Sequence, residues 1–288
     1  MKVIFALMRP HQYIKNLFIF LPLFFVGNIT DWALATQAAW AFVAFSITAS
    51  AIYILNDYRD IDEDRLHPTK KNRPLAASLI SRKNALVLMI LFALAGAFLM
   101  ASLSLVALAI LVAYIALNFG YSLSFKHIAI LDVCIIATGF VLRLFVGATV
   151  TATPLSMWIV IMTFLLALFL ALAKRRDDVL IFLDTGKKMR RVIHGYNLQM
   201  IDSAMMIMAS VVIVSYILYT TSTEVVQRLH SEYLYLTALF VILGVMRYLQ
   251  IALVENNSGS PTRIVLRDRF IQLTITAWLL SFVWILYL

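Results

Sequence analysis

Cysteine is almost absent from this 288-residue chain: the single one, Cys134, lies in an apolar run and leaves no intrachain disulfide and no cysteine-cluster metal centre. Charge is scarce too, at 14% of residues against 62% hydrophobic, with a mean hydropathy of +0.90. A soluble domain of this size cannot be built from so little polar surface, so lipid is the natural solvent. Acidic residues are outnumbered, 15 Asp and Glu against 24 Lys and Arg, a net charge of +9. In a membrane chain such an excess signals topology or contact with anionic membrane lipid, and nucleic acid is not an expected partner. His67, His127 and His194 lack metal-ligand spacing and fit loop or phosphate contacts better.

What the chain has instead is long apolar runs. A spanning helix needs roughly 20 largely apolar residues, because its backbone must satisfy itself where there is no water. About nine stretches meet that rule, over 13–30, 35–55, 84–101, 104–123, 129–149, 155–173, 201–220, 232–254 and 270–288. The expected fold is all-α and polytopic. With a cytoplasmic amino terminus, 21 of the 24 Lys and Arg fall on the cytoplasmic side, Arg228 alone lies opposite, and Arg143 and Arg247 sit within spans. The positive-inside rule therefore places the amino terminus in and the carboxyl terminus out. The start, Met1 to Arg9, is too short and too soon interrupted by Arg9-Pro10 for a secretory signal. Two large loops, near 56–83 and 174–200, each follow the second helix of a possible four-helix group, a spacing that hints at a degenerate repeat. No Pro/Ser-rich linker divides the chain, so residues 1–288 are read as one domain.

The first loop opens with Asn56-Asp57-Tyr58-Arg59-Asp60-Ile61-Asp62-Glu63-Asp64, continuing the second span. At roughly 100° per residue, Asn56, Asp57, Asp60 and Asp64 share one face if the helix persists, while Asp62 points away. Carboxylates crowded at a membrane boundary repel one another unless they share a cation. Hard oxygen ligands favour Mg²⁺, which joins one or two carboxylates to a substrate phosphate, so a diphosphate is the expected ligand. A solvated loop with Arg59, Arg65 and Lys70 as local partners is the plainer reading, and Asp62 and Glu63 are left to it. Lys70, Lys71 and Arg73 follow at once; beside a metal-bound diphosphate they make a phosphate clamp, and in a cytoplasmic loop they also satisfy topology.

Asn56-Asp57-x-x-Asp60-x-x-x-Asp64 at the end of the second span, with Asn72-Arg73-Pro74-Leu75 after it, resembles the first aspartate-rich motif of the UbiA superfamily of intramembrane prenyltransferases. The resemblance implies a helical bundle around a central cavity in which Mg²⁺ binds a diphosphate beside a long isoprenoid. The second motif departs from ordinary members, since Lys174-Arg175-Arg176-Asp177-Asp178 is mostly basic. It is similar instead to the decaprenyl-phosphate phosphoribosyltransferase branch, whose donor is phosphoribosyl pyrophosphate. Similarity extends through Arg9-Pro10-x-Gln12-x-x-Lys15-Asn16, Tyr121-Ser122, Lys126-His127, Asp132, Gly139-Phe140-x-x-Arg143, Arg190, Tyr196, Asp202, Arg247-Tyr248 and Leu266-Arg267-Asp268-Arg269. The branch usually has Glu where Asp178 stands.

The resemblance and the charge pattern imply that Asp57, Asp60 and Asp64 hold Mg²⁺ on the donor's diphosphate with Asn56 as hydrogen-bond partner, while Lys174 and Arg175 bind phosphate. Lys15, Lys70, Arg73, Tyr121, Lys126, Arg143, Asp178 and Arg190 complete the expected substrate contacts. Lys174 and Asp178 also fit a simple i, i+4 surface pair. The acceptor is expected to be a polyprenyl phosphate, anionic already and needing no Ser-His-Asp set. Two rivals remain: prenyl transfer from a prenyl diphosphate to an aromatic or other acceptor, and a transporter or lipid carrier. Arg143 and Asp132 lie too far apart along one helix to pair, so each is expected to find a partner elsewhere; Arg143 suits cavity support or the acceptor phosphate equally. Asp202 and Arg247, near cytoplasmic helix ends, suit a structural pair slightly better than direct catalysis. The expected setting is a prokaryotic plasma membrane with the active site facing the cytoplasm, and the resemblance is compatible with a homo-oligomer.

Overall fold

The structure, a computed structural model, describes residues 2–66, 70–186, 191–229 and 231–287. Among them every regular element is helical. Seven helices among the described residues are long and apolar enough to cross a membrane: Trp32–Arg59, Arg82–Leu103, Leu105–Leu123, Leu131–Val150, Met157–Thr185, Leu198–Thr221 and Tyr233–Leu253. The chain is a multi-pass integral membrane protein.

Seven of the nine expected spans are found among the described residues, and the first and last of the nine stand apart. Instead of one span over 13–30, a 3-10 helix covers Pro10–Phe20 and a short α-helix Leu21–Phe25. Pro22 removes a donor and its ring crowds the preceding turn, so an α-helix cannot run through it. Arg9, at φ 53°, turns the chain before Pro10, and Gly27, at φ 86°, turns it after Phe25, a conformation glycine adopts without strain. At the other end a helix covers Arg269–Tyr287, close to the expected stretch 270–288.

Two compact units are formed, Met1–Phe125 with Gly139–Leu155, and Lys126–Thr138 with Ser156–Leu288. In the first, alanines at 38, 41 and 44 are fully buried on the Trp32–Arg59 helix. A Cβ added at Gly96 would run into Thr48 Oγ1 and come within 2.7 Å of the Ala44 carbonyl, so small side chains are what allow the Trp32–Arg59 and Arg82–Leu103 helices to lie together. Phe45, Met100, Leu111, Tyr114 and Val146 fill the core beside them. Asp31 starts the long helix by accepting from the amides of Ala33 (2.9 Å) and Leu34 (3.1 Å). Ser81 and Ser104 cap the next two helices in the same manner.

In the second unit, Phe169, Leu172, Ile201, Met205, Tyr248 and Ile251 form the core. The Met157–Thr185 helix runs well past the apolar stretch that ends near 173, and Gly186 at φ 65° closes it. The second motif, expected in a loop, is therefore helical. Arg247 is anchored differently from the expected pairing with Asp202. Its Nη2 donates to Asp268 Oδ2 at 2.7 Å and its Nη1 to Glu255 Oε1 at 2.8 Å, because Asp268 stands at the head of the Arg269–Tyr287 helix.

The hydrogen bonds from Arg247 hold the Asp268 carboxyl below the usual carboxylate range. A depressed folded value means that this contact supports the fold above the unfolded carboxylate pKa and fades as pH falls through the folded one. Thermal unfolding in detergent should therefore show an acid-side loss of stability that Asp268→Asn removes. Identical pH profiles for the variant and the parent protein would refute the contribution.

Candidate active site

The acidic motif does not continue as one helix. The long helix ends at Arg59, Asp60 caps it with its amide on the Asn56 carbonyl at 3.0 Å, and a short helix, Ile61–Leu66, begins afresh. The Asp64 amide donates back to the Asp60 carbonyl at 2.7 Å. The break replaces the expected straight-helix face, yet it still turns Asp57 and Asp64 inward, at 1% and 2% exposure.

One arginine ties these two carboxylates together. Arg73 Nη1 donates to Asp57 Oδ1 at 3.1 Å and to Asp64 Oδ2 at 2.7 Å, and Arg9 Nη2 also bonds Asp57 Oδ1. Arg73 reaches them because the turn after the 3-10 helix Lys70–Asn72 is held in place. Its amide donates to the Lys70 carbonyl, Leu75 beyond Pro74 is buried, and Arg65 Nε donates to the Ala76 carbonyl at 3.3 Å. Asn56 accepts from Ser122 Oγ, and the neighbouring Tyr121 is half-buried.

Among the described residues no set of three or more His, Cys, Asp or Glu is arranged to hold a metal, so the three aspartates do not form a ready cage. Two arginines supply the charge compensation instead. Nevertheless Asp57 Oδ2 is buried with no hydrogen-bond partner, an arrangement that costs free energy unless something fills it. A hard divalent cation that accepts one or two carboxylates suits that spare oxygen and the nearby Asp64.

The basic motif divides its labour. Arg175, expected to bind phosphate, is 1% exposed: its Nε donates to Asp132 Oδ2 at 2.6 Å and its Nη1 to Asp178 Oδ2 at 2.7 Å. Tyr196 donates to the other oxygen of Asp132 at 2.6 Å and accepts from the Ile130 amide at 2.7 Å. Burial and the hydrogen bond to Asp132 push the Tyr196 phenol up, so it stays protonated as a hydrogen-bond donor to Asp132. Arg176 is buried as well and bonds Asp202 Oδ1 (2.7 Å), the Ala252 carbonyl (2.6 Å) and Asn256 Oδ1 (2.8 Å). The helix turns Lys174 alone of the three bases outward. Two carboxylates share the Arg175 guanidinium, an arrangement that braces the motif.

The remaining candidates are spread out. Lys15 is half-buried on the 3-10 helix, Lys70 is half-buried at the start of its turn, and Lys126 is half-buried in the short 3-10 helix Phe125–His127. Arg143 is buried in the first unit, and Arg190 lies outside the described residues. Reading the sequence alone missed Arg9 as the second cation on Asp57, Ser122 as the partner of Asn56, and Tyr196 as the partner of Asp132. The signal available for Asp132 was its place as a carboxylate in an apolar helix, which demands a cation.

Apolar helices long enough to span a bilayer, with a buried carboxylate pair where one of them ends, define a helical membrane protein with a polar centre at the end of a span. The chain belongs to the UbiA prenyltransferase family, whose model matches residues 17–274. It is 33% identical to the decaprenyl-phosphate phosphoribosyltransferase of Mycolicibacterium smegmatis over 94% of this chain and 88% of that protein. The enzyme of the same description from Corynebacterium glutamicum is 29% identical over 98% of this chain and 86% of that protein. Its fold is that of a UbiA homolog from Archaeoglobus fulgidus whose structure was solved bound to DMAPP and Mg²⁺, with a TM-score of 0.72 and 17% identity over 98% of both chains.

Proposed function

We propose that this enzyme transfers 5-phosphoribose from phosphoribosyl pyrophosphate to a polyprenyl phosphate, with Mg²⁺, and releases pyrophosphate. The observation that carries the reading is the Asp57–Asp64 pair held under Arg73 with one buried carboxylate oxygen left over. Relatives described as decaprenyl-phosphate phosphoribosyltransferases, matched over nearly the whole chain, support it.

The donor carries a diphosphate at C1 and a phosphate at C5, so it needs an acidic, metal-binding patch and a separate basic one. In this reading Asp57 and Asp64 hold the ion, Asp60 and Asn56 shape the turn around it, and Lys174 meets a phosphate. Arg73, which reaches both carboxylates, would also meet the diphosphate, with Lys70, Tyr121, Lys126, Asp178 and Arg190 as further contacts. Bound there, Mg²⁺ supplies charge that neutralises the departing pyrophosphate.

The chemistry asks little else of the chain. An oxygen of the acceptor phosphate gives its electron pair to C1 as the bond from C1 to the diphosphate oxygen breaks, and that bond's electrons leave with pyrophosphate. The attacking group is an anion at neutral pH, so no general base is required. The protein's part is to align the two substrates and exclude water, which would otherwise hydrolyse the activated sugar. The 21 Lys and Arg on one side support a site facing the cytoplasm of a prokaryotic plasma membrane. In this reading residues 1–288 act as one functional domain.

The test uses purified protein in lipid nanodiscs with phosphoribosyl pyrophosphate labelled in the ribose and a polyprenyl phosphate. Label should enter the organic phase only when Mg²⁺ and the acceptor are both present. Label that stays in water throughout, or transfer of a prenyl group from prenyl diphosphate to an aromatic acceptor in a parallel reaction, would overturn the assignment.

A further inference from the structure

Arg143 lies in the Leu131–Val150 helix at 4% exposure. The other deeply buried arginines, Arg175 and Arg176, are each met by a carboxylate. Arg143 is met only by neutral groups: Nε donates to Asn16 Oδ1 at 2.8 Å, Nη1 to the Gly139 carbonyl at 2.6 Å and Nη2 to the Tyr114 hydroxyl at 3.3 Å. Rings of Phe45, Tyr114 and Phe140 stand 4.8, 5.0 and 5.3 Å from its guanidinium carbon. Asn16 is fixed in turn by donating to Ser46 Oγ at 2.8 Å. These contacts orient the guanidinium without cancelling its charge. A full charge in an apolar helix is expensive without a counter-ion, so an anion is the missing partner.

A second cation is close. Lys15, next to Asn16, feels the charges of Arg143 and Arg9. His11, on the same 3-10 helix, is pushed toward its neutral form by partial burial and by Arg9 and Lys15. Arg9 is answered by Asp57, whereas among the described residues no carboxylate pairs with Lys15 or Arg143. Two positive charges are left over.

We propose that Arg143 and Lys15 seat the monophosphate of the lipid acceptor, an assignment that deepens the phosphoribosyl-transfer reading and rests on it. Two charges match a monophosphate ester, which carries about −1.5 to −2 at neutral pH, and fall well short of the donor's combined phosphates. The aromatic surroundings suit a phosphate that arrives on an isoprenoid chain. The position fits the reaction as well. Ser46, Ser50, Tyr53 and Asp57 recur at helical spacing on one face of the Trp32–Arg59 helix. Ser50 bonds the Tyr13 hydroxyl at 2.8 Å, and Arg9 lies over the Tyr53 ring at 5.5 Å, so this face is polar from the Arg143 partner Asn16 to the acidic motif. Eleven residues from Ser46 to Asp57 rise about 16 Å.

The experiment measures binding of farnesyl phosphate, farnesol and phosphoribosyl pyrophosphate to the full-length protein in nanodiscs, for the parent protein, Lys15→Met and Arg143→Gln. Each variant should weaken farnesyl phosphate by about tenfold to a hundredfold, the worth of a charge-assisted contact, with farnesol and the donor unchanged. Equal weakening of farnesyl phosphate and farnesol makes the cations structural and overturns the seat. So does loss of donor binding with farnesyl phosphate intact, which leaves the transfer reading standing. Displacement of farnesyl phosphate by an equal concentration of inorganic phosphate overturns the lipid assignment. A parent protein that binds no donor sinks the transfer reading, while selective loss of farnesyl phosphate in the variants still upholds the seat. Should Arg143→Gln not fold, Lys15→Met, at a half-buried position, decides alone.

Discussion

Asp57→Asn should lower phosphoribosyl transfer by about a hundredfold to a thousandfold or more, the scale of removing one preorganised charge partner from a transition state, with the protein still folded. The amide keeps the shape of the carboxylate and can accept from Arg9 and Arg73, but it removes the charge that a divalent cation needs. Those arginines are 19% and 26% exposed, so each can turn toward water when the carboxylate is gone. The measurement is labelled transfer across a Mg²⁺ titration, paired with thermal unfolding of the same preparations. Asp57→Glu should recover part of the activity with an altered choice between Mg²⁺ and Mn²⁺. Undiminished turnover in Asp57→Asn would remove Asp57 from the site.

Arg175→Gln should instead fail by instability. Arg175 and Asp132 are 1% and 0% exposed, and Asp178 and Tyr196 complete their network. Removing the guanidinium leaves a buried carboxylate uncompensated, which costs about 3–5 kcal/mol. The double variant Arg175→Gln with Asp132→Asn should be closer to the parent than Arg175→Gln alone, because the fully buried carboxylate is neutralised as well and only the partly exposed Asp178 loses its partner. Lys174→Met should behave oppositely, raising KM for the donor at unchanged unfolding temperature, since its side chain faces outward. If Arg175→Gln unfolds like the parent and only its donor KM rises, Arg175 is a phosphate ligand and the bracing role is wrong.

The apolar runs, the scarcity of charge and the one-sided distribution of Lys and Arg were enough to establish a helical membrane chain, because a bilayer tolerates so few alternatives. The acidic motif and its arginine were legible for a related reason: carboxylates gathered at the end of a span require cations, and Arg73 stood nearby in sequence. Likewise the separation of Asp132 from Arg143 along one helix foretold partners on other elements, found as Arg175 and Asn16.

Tertiary packing decided the rest. Three consecutive bases in Lys174-Arg175-Arg176 look equivalent as letters, but a helix turns about 100° per residue, and where its core face falls sends two inward to aspartates and one outward. Composition alone likewise cannot tell a span from the Pro10–Phe20 and Leu21–Phe25 pair, since proline's lost donor acts through local geometry that apolar content does not record. Nor could the sequence alone determine that Arg143 would be held by neutral groups, because charge compensation between residues over a hundred positions apart depends on which helices pack together.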